Sequence, residues 1–443
     1  MMKFIKRIAL GILILFSLSL FGYLVHRATT LGADKVPLGR QLLLFVKFPD
    51  KIKDVVKQVN ISGIPETYTL PPKNFKPLNN LDYDLHGLSP IWDTEEQNWR
   101  IDLLNFKNDA VSHTWRLNYE DADLSSTTYQ FSRAMPRNPI LLKDFSIIAD
   151  LDESANLYRL DKNSSIVWHN KDYIFHHGMN LAHDSTIWVC GSTKLENGKY
   201  VTTKIKTYNG QDYQYAEEFL VHIDVLTGET IQAIPLTQLL IDNDLLYLAF
   251  AAADPDVAPT DNLHLNDIQP AVSSSKYWEK GDLFVSIRHK SCILLVSKDL
   301  KIIKQVLQGP FLAQHDVEIV NDSTISFFNN NFINIERDSM TCVSKTSDFE
   351  LSNSEALFYD FSTKKYTSPY SEFFKQEKIQ TISQGMSKVL SNGDLWVESQ
   401  NQGILYVIDS TGFKLKYTLP SQLDDYVSRP HWIRIIQNLD SQK

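Results

Sequence analysis

The sequence is poor in cysteine and has no excess of positive charge. Its 443 residues include only three cysteines, Cys190, Cys292 and Cys342, and no Cys-x-x-Cys or zinc-ligand spacing, so no disulfide framework is expected. The formal net charge of −9 leaves no basic stripe to neutralise the phosphates of a nucleic acid. A Gly-rich phosphate loop followed by lysine is also missing, which argues against binding of a nucleotide. We therefore predict no nucleic-acid partner, no metal and no cofactor.

One long apolar segment lies at the N-terminus. Residues 8–25 form an uncharged run preceded by Lys3, Lys6 and Arg7. This length approaches the ~20 residues that cross a bilayer and exceeds the ~7–15 of a signal-peptide core. Because flanking basic residues stay in the cytoplasm, residues 1–29 are predicted to anchor the protein in the inner membrane by a single pass, with the remainder in the periplasm. A cleaved signal peptide is the alternative.

Residues 30–89 are predicted to connect this anchor to the main domain. The stretch "FPDKIKDVVKQV", residues 48–59, has the pattern of a short amphipathic helix. The proline-rich stretch at residues 63–81 is predicted to hold no regular element.

Between residues 90 and 437 a sequence pattern recurs six times. It consists of an apolar strand, a polar turn and a second strand. It occupies residues 102–115, 157–169, 220–234, 293–306, 357–369 and 405–419. The alternation and the Asp, Asn, Gly and Ser turns predict a hairpin at each place, and several are preceded by another hairpin signal. Two hairpins make one four-stranded blade. The sequence therefore predicts an all-β fold, a six-bladed β-propeller preceded by a transmembrane helix.

Five polar strings lie near the starts of hairpins in successive repeats. They are "FHHGMN" (175–180), "HLNDIQP" (264–270), "SIRHKS" (286–291), "GPFLAQHDVE" (309–318) and "TISQGMS" (381–387). Equivalent positions of propeller blades converge around the central channel, so these strings are expected to form one pocket. Each residue alone is more often structural than catalytic, and only their co-occurrence favours a site.

Strand alternation predicts which side chains point together. His264 and Asn266 are two apart and share a face if the segment is extended, and Ser286 and Arg288 share a face in the same way. His315 and Asp316 are adjacent and should point in opposite directions. Asp316 is therefore predicted to be a structural hydrogen-bond partner and not the group that orients His315.

These strings resemble the arylsulfotransferase family of exported bacterial propellers, over roughly residues 90–437. The resemblance implies transfer of a sulfuryl group from an aryl sulfate to a phenol, through a sulfohistidine and without a nucleotide donor. It implies His315 as the sulfated histidine, assisted by His264, Arg288 and His177. It further implies that Asn266, Thr381 and His176 contact the substrate, with His176 as the alternative to His177 for the matched histidine. Gly178 departs from the family pattern, which usually has an aspartate there.

Two other interpretations of the same residues remain open. A non-catalytic membrane-anchored propeller, serving as a binding or assembly scaffold, explains the repeats and the anchor but not the convergent polar strings. A metal site built from His177, His264 and His315 is the second alternative, since three imidazoles suit zinc or copper. Arg288 beside such a cation would be repelled from it.

Overall fold

The computed structural model describes residues 2–31, 36–46, 67–96, 98–117, 134–193, 195–196, 199–200, 203–206, 210, 212–250, 261–331, 353–436 and 439. The helix predicted at residues 48–59 and Cys342 lie outside these ranges. The chain divides into two compact units, Met1–Pro65 and Glu66–Lys443.

The N-terminal unit contains two helices, α1 at Met2–Leu31 and α2 at Gly39–Val46. Within α1, the segment Ala9–Ala28 is the one stretch among the described residues that is long and apolar enough to cross a membrane. The predicted N-terminal apolar helix is thus confirmed. Its length and composition fit a single-pass anchor and a signal sequence alike.

The proline-rich connector contains two short strands, β1 at Tyr68–Thr69 and β2 at Leu78–Asn79. The prediction that it holds no regular element is therefore wrong. The prolines flank these strands instead of interrupting them, and the partners come from the far end of the chain: Tyr68 pairs with Ser428, and Leu78 with Lys416. A connector without a pairing partner of its own thus gains regular structure from the propeller.

The second unit is a six-bladed propeller of antiparallel sheets, and the predicted fold class is confirmed. Blade 1 contains β3 His86–Asp93, β4 Asn98–Asn105 and β5 Ala110–Arg116, together with a strand from the C-terminal end of the chain. Blade 2 contains β6 Ile140–Leu141, β7 Ile147–Asp150, β8 Leu157–Leu160 and β9 Ile166–Asn170.

Blade 3 is enlarged by an insertion between its second and third strands. The four strands of the blade are β10 Ile174–Leu181, β11 Thr186–Ser192, β16 Glu218–Asp224 and β17 Thr230–Pro235. The insertion adds β12 Leu195–Glu196, β13 Lys199–Tyr200, β14 Thr203–Lys206 and β15 Asp212–Tyr215. Helices α3 Leu236–Asp242 and α4 Leu246–Phe250 follow the blade.

The remaining blades follow the same order. Blade 4 contains β18 Leu265–Pro270, β19 Leu283–Ile287, β20 Cys292–Val296 and β21 Ile303–Gln308. Blade 5 contains β22 His315–Asn321, β23 Thr324–Asn329, β24 Glu355–Asp360 and β25 Lys365–Thr367, followed by helix α5 Ser371–Glu377. Blade 6 contains β26 Met386–Val389, β27 Leu395–Ser399, β28 Ile404–Ile408 and β29 Phe413–Tyr417.

The C-terminal segment closes the ring. After β30, Val427–Ser428, strand β31, Arg434–Ile436, pairs with β3 and becomes the first strand of blade 1. Residues from both ends of the chain therefore share one sheet. The propeller begins at His86 in this blade, four residues before the boundary expected from the repeats.

All six predicted hairpins pair as expected, as the last two strands of each blade. In four of them an aspartate that is the last residue of the third strand or directly follows it accepts backbone N–H groups of the turn through Oδ1: Asp161, Asp224, Asp360 and Asp409. This is the local bond that makes aspartate favourable at the start of a turn. It explains why the repeated pattern is recognisable in the sequence.

The core consists of apolar layers between neighbouring blades. One layer joins blades 3 and 4 and includes Cys190 and Cys292, which are fully buried free thiols. Burial of both thiols in an apolar layer agrees with a structural role.

Candidate active site

A non-glycine residue with positive φ lies at or near the start of the innermost strand of every blade. From blade 1 to blade 6 these are Trp432, Asn138, His177, His264, Asp316 and Gln384, with φ between 45° and 64°. Non-glycine residues rarely adopt such angles, and they persist where surrounding structure fixes them. The ring of irregular turns coincides with four of the five polar strings singled out in the sequence.

Three histidines from three blades meet at this ring. The ring centroid of His177 lies 4.9 Å from that of His264 and 6.2 Å from that of His315. Trp432 of blade 1 approaches His177 and His315, at 5.9 and 6.0 Å. The structure therefore brings together residues that are 138 positions apart in the sequence, as the propeller prediction required.

His315 is held in one tautomer by Asn330. The Nδ2 of Asn330 donates to the carbonyls of Thr381 and Gln384, at 2.9 and 2.7 Å, so its Oδ1 is an acceptor. Nδ1 of His315, 2.6 Å from this oxygen, must carry the proton. Nε2 then bears an unshared electron pair, and among the described residues it has no hydrogen-bond partner.

The surroundings of His315 keep its ring neutral. The side chain is fully buried, and burial, followed by the charge of Arg288, lowers its pKa well below the usual value for histidine. Asp316 does not contact the ring, because its Oδ2 accepts the backbone N–H of Ser387 at 2.8 Å. Asp316 is thus a structural hydrogen-bond partner. Regular strand alternation is not the reason, since Asp316 has a φ of 56° within a register shift between His315 and Glu318.

Two guanidinium groups act on His315. Arg288 lies in a 3-10 helix, Arg288–Lys290, directly after β19, so the expectation that it extends the strand face of Ser286 is wrong. The second is Arg137, which forms an ion pair with Asp152 at 2.6 Å. Both lower the pKa of His315, and within the described residues the buried Nε atom of each has no hydrogen-bond partner. Unpaired buried donors of this kind fit an anionic ligand.

His264 lies between the cluster and a carboxylate. Its Nδ1 contacts Oδ2 of Asp261 at 2.7 Å, and its ring stacks on His289 at 4.5 Å. Asp261, His264 and His289 are the one group of described residues with geometry suitable for holding a metal ion. Existing hydrogen bonds oppose that use. Arg288 donates to Nε2 of His289 at 2.9 Å, which places a permanent positive charge beside the three.

Asn266 and Thr381 are fully buried, and each forms a hydrogen bond in which one partner is a backbone carbonyl. Asn266 Nδ2 donates to the carbonyl of Gln314 at 2.7 Å, directly before His315, while its Oδ1 has no partner among the described residues. The hydroxyl of Thr381 lies 3.5 Å from that of Ser399, and its carbonyl supports Asn330. The geometry therefore ties both residues to the position of His315.

His176 and His177 lie at a bulge of β10, and the planes of their rings are at 88° to each other. Their Nδ1 atoms are 2.9 Å apart, and Nε2 of His176 contacts Glu218 at 3.0 Å. Burial alone would lower the pKa of His176, but the carboxylate of Glu218 raises it to about 9. Burial and nearby positive groups lower the pKa of His177 well below its usual value. His176 is therefore the protonated member, and it donates to His177.

A family model described as arylsulfotransferase matches residues 138–415, more than half of the chain. The chain belongs to the arylsulfotransferase family. Membership supports an aryl sulfotransferase activity in general terms, and the matched range contains every predicted site residue. A search among curated proteins gave no match.

A search of solved structures found several that are weakly similar to this chain. A protein of unknown function from Bacteroides caccae is 10% identical with a TM-score of 0.43, covering 80% of this chain and 100% of its own. A catalytically inactive virginiamycin B lyase from Staphylococcus aureus with quinupristin is 12% identical with a TM-score of 0.36, covering 81% and 90%. The nidogen/laminin complex is 8% identical with a TM-score of 0.41, covering 80% and 97%. At TM-scores below 0.5, none of these informs the function of this arylsulfotransferase-family chain.

The structure explains why this member of the arylsulfotransferase family has glycine at position 178. A Cβ added to Gly178 would lie 2.8 Å from Oδ1 of Asp267 and 3.2 Å from the ring of Trp432. Oδ1 of Asp267 is already engaged by Asn180 at 2.9 Å, and Oδ2 by the N–H of Val317. A carboxylate from blade 4 thus fills the space that a side chain at position 178 would need.

Five residues of the cluster were not found by sequence reasoning: Arg137, Glu218, Asp261, Asn330 and Trp432. Asp261 was visible in the string "DNLHLNDIQP", and Asn330 in "ISFFNN". Arg137 and Trp432 come from blades in which no polar string was singled out. Glu218 lies on β16, which is separated from the strand of its partner His176 by β11. No local pattern identified these three.

Proposed function

We propose that this protein transfers a sulfuryl group from an aryl sulfate to a phenol through a covalent sulfohistidine at His315. The observation that carries the proposal is the unshared pair on Nε2, which Asn330 fixes by holding the proton on Nδ1. A neutral imidazole is a competent nucleophile, and no other base is needed to deprotonate it.

The first half of the reaction forms one bond and breaks one. The Nε2 pair of His315 attacks sulfur, and the S–O bond to the aryl group breaks with its electrons on the phenolate. The retained Nδ1 proton makes the sulfated ring a cation, bonded to the neutral oxygen of Asn330. In the second half a phenol oxygen attacks sulfur and the pair returns to Nε2.

The two arginines provide the charge that this transfer needs. By analogy with phosphoryl transfer, a loose transition state is stabilised by positioning and by positive charge near the non-bridging oxygens. Arg288 and Arg137 supply permanent charges with forked donors, and both act on His315 electrostatically. His264 and the second N–H of Asn266 are proposed to bind sulfuryl oxygens, while Thr381 supports the site through Asn330.

The remaining parts of the proposal concern partners and location. The substrates are a small aryl sulfate and a phenol, with no cofactor, and the helix α1 holds the protein in the inner membrane with the propeller on the periplasmic side. The support is the length and composition of Ala9–Ala28 and the basic residues before it.

The test is trapping of the intermediate. After brief exposure of the full chain to 4-nitrophenyl sulfate without acceptor, one SO3 group is expected on the peptide containing His315, and adding a phenol should release it. His315→Asn should remove the adduct. His183→Gln, which changes an exposed histidine, is the matched control and should keep it.

Other outcomes would contradict the proposal in distinguishable ways. An adduct on His264 or His177 would overturn the assignment of the nucleophile. Turnover without any adduct would indicate direct transfer between donor and acceptor. Absence of turnover over a broad panel of aryl sulfates would favour the non-catalytic scaffold.

A further inference from the structure

A buried chain of three polar residues runs behind the histidine cluster. Glu218, His176 and His177 are linked in series by contacts of 3.0 and 2.9 Å, and the exposed fraction of each is below 10%. Glu218 reaches this position from β16, while the histidines lie on β10, with β11 between the two strands. Neither the position of Glu218 nor the order of the three residues was visible in the sequence.

The geometry fixes one proton to the space between the two histidines. Nε2 of His176 faces a carboxylate, so it carries a hydrogen. The two Nδ1 atoms, 2.9 Å apart, can be bonded only if one of them carries a hydrogen and the other does not. When His176 carries it, Nδ1 of His177 is the acceptor, and the proton of neutral His177 is on Nε2.

His177 is the member of the chain that reaches the reacting atoms. Its ring lies 6.2 Å from that of His315, close enough for an oxygen leaving a sulfuryl group on His315 to reach it. Its backbone N–H donates to Oδ1 of Asp152 at 3.1 Å, which holds the strained turn in place. His176 has no such access, because it is enclosed between Glu218 and His177.

We propose that Glu218, His176 and His177 form a proton relay that protonates the leaving phenolate and later recovers the proton from the acceptor phenol. This inference rests on the proposed sulfuryl transfer and assigns His176 to proton storage instead of substrate contact. In the first half, His177 gives its Nε2 proton to the phenolate oxygen while His176 passes its Nδ1 proton to Nδ1 of His177. His176 becomes neutral and remains bonded to Glu218 through Nε2.

The second half reverses both proton movements. As the acceptor oxygen attacks sulfur, its proton passes to Nε2 of His177, and the Nδ1 proton of His177 returns to His176. Charge balances in each half, because the anionic donor and cationic His176 become a neutral phenol, a neutral His176 and a zwitterionic sulfohistidine. No proton needs to enter from solvent during either step.

The charged groups around the pair favour this resting state. Asp152 and Glu153 add negative charge near His176, beside Glu218. His177 instead faces Arg137, His264 and His315, which disfavour a second positive charge on it. The stored proton therefore stays one residue away from the pocket until a phenolate forms.

The experiment compares two leaving groups in the full-length enzyme. Phenyl sulfate releases a phenol with a pKa of about 10, which needs a proton, whereas the phenolate of 4-nitrophenyl sulfate leaves without one. Glu218→Gln should slow sulfation of His315 by phenyl sulfate by about a hundredfold. The same variant should slow sulfation by 4-nitrophenyl sulfate far less, so that the ratio of the two rates changes.

Glu217→Gln is the matched control, since Glu217 is the adjacent buried acid and bonds Thr237 and Tyr215 instead of a histidine. It should react like wild type with both donors. Equal slowing of both donors in Glu218→Gln would show a structural role and overturn the relay. Unchanged rates with both donors would overturn it as well.

Histidine NMR separates this proposal from the sulfuryl transfer itself. At pH 8 the wild type should show one imidazolium resonance that is missing in His176→Gln and is neutral in Glu218→Gln. If that resonance is present but no donor sulfates the protein, the transfer is wrong and the pair is only a structural ion pair. If transfer occurs without the resonance, the relay alone is wrong.

The wild type provides a further check that needs no variant. His176 loses its proton above pH of about 9, because the carboxylate of Glu218 sets its pKa near that value against the effect of burial. Sulfation by phenyl sulfate should therefore fall above this pH, while sulfation by 4-nitrophenyl sulfate should not. Parallel profiles for the two donors would contradict the relay.

Discussion

Asn330 should control the reactivity of His315 although it cannot itself react. Asn330→Ala removes the acceptor for Nδ1 of His315 and two donors, to the carbonyls of Thr381 and Gln384. A buried polar group without a partner costs about 1–3 kcal/mol. Nδ1 of His315 and the carbonyl of Gln384 would lose their partners, whereas the carbonyl of Thr381 keeps the hydroxyl of Ser354 at 3.4 Å. The free energy of unfolding should therefore fall by about 2 kcal/mol or more. The imidazole would also be free to place its proton on Nε2. Loss of the correct tautomer should slow sulfation by about a hundredfold or more.

The adjacent Asn329 is a matched control. Its Oδ1 accepts the backbone N–H of Leu312 and Asn331, and its Nδ2 donates to Glu355, so it has three partners, all of them half-buried. Asn329→Ala should therefore cost a similar amount of stability without affecting the tautomer of His315. The assay is the rate of SO3 addition measured by intact mass at a temperature where both variants are folded, with Tm measured in parallel. Equal sulfation rates in the two variants would refute the argument that Asn330 fixes the nucleophile.

Four shorter predictions concern other parts of the molecule. Because burial and Arg288 keep the pKa of His315 well below its usual value, the neutral nucleophile persists at low pH, and sulfation by 4-nitrophenyl sulfate should stay constant from pH 8 down to pH 6; a fall near pH 6.5 would contradict this. Gly178→Ala should lower Tm, since the added Cβ meets Asp267 and Trp432, and a Tm equal to wild type would show that the neighbours yield freely. Protease added to spheroplasts should digest the propeller if it is periplasmic, and protection equal to that of a cytoplasmic control would show the opposite orientation. Treatment with a chelator should leave activity intact. Stoichiometric zinc or copper in the purified protein would instead favour a metal site, either the predicted one at His177, His264 and His315 or the group of Asp261, His264 and His289.

The fold could be predicted from the sequence because its determinants are local and repeated. Each outer hairpin has its own alternation and turn residues, and the turn aspartates, such as Asp224 and Asp409, form their bonds within four residues. The strands β1, β2 and β31 could not be predicted in the same way. Their partners lie at the opposite end of the chain, and two or three residues are too short to show an alternation.

The sequence predicted which histidines belong to the site better than it predicted how the side chains are oriented and held. Convergence of His177, His264 and His315 followed from blade equivalence, and their ring distances agree with it. The alternation argument failed at Arg288 because the strand ends at Ile287 and the chain turns into a 3-10 helix. It also failed for His264 and Asn266, because His264 precedes β18 and has a φ of 55°, so the two residues do not lie on one extended strand. Asn330 and Glu218 each contact a histidine of the site through a single oxygen atom, and each lies many residues from that histidine in the sequence. No rule of sequence spacing predicts such contacts.

The arrangement of charges would allow an acidic chain to hold the anion that the proposed function requires. Three cationic or imidazole groups of the cluster are each backed by a carboxylate on one side: Arg137 by Asp152, His176 by Glu218, and His264 by Asp261. Such pairing reduces the cost of burying the charge while leaving another face of each group for the ligand. Arg288 is the exception, because its guanidinium donates to the neutral ring of His289 and its Nε has no partner among the described residues. The charge of Arg288 is therefore the least compensated by protein groups in the cluster. We expect Arg288 to interact more strongly with a bound sulfuryl group than the other cations do.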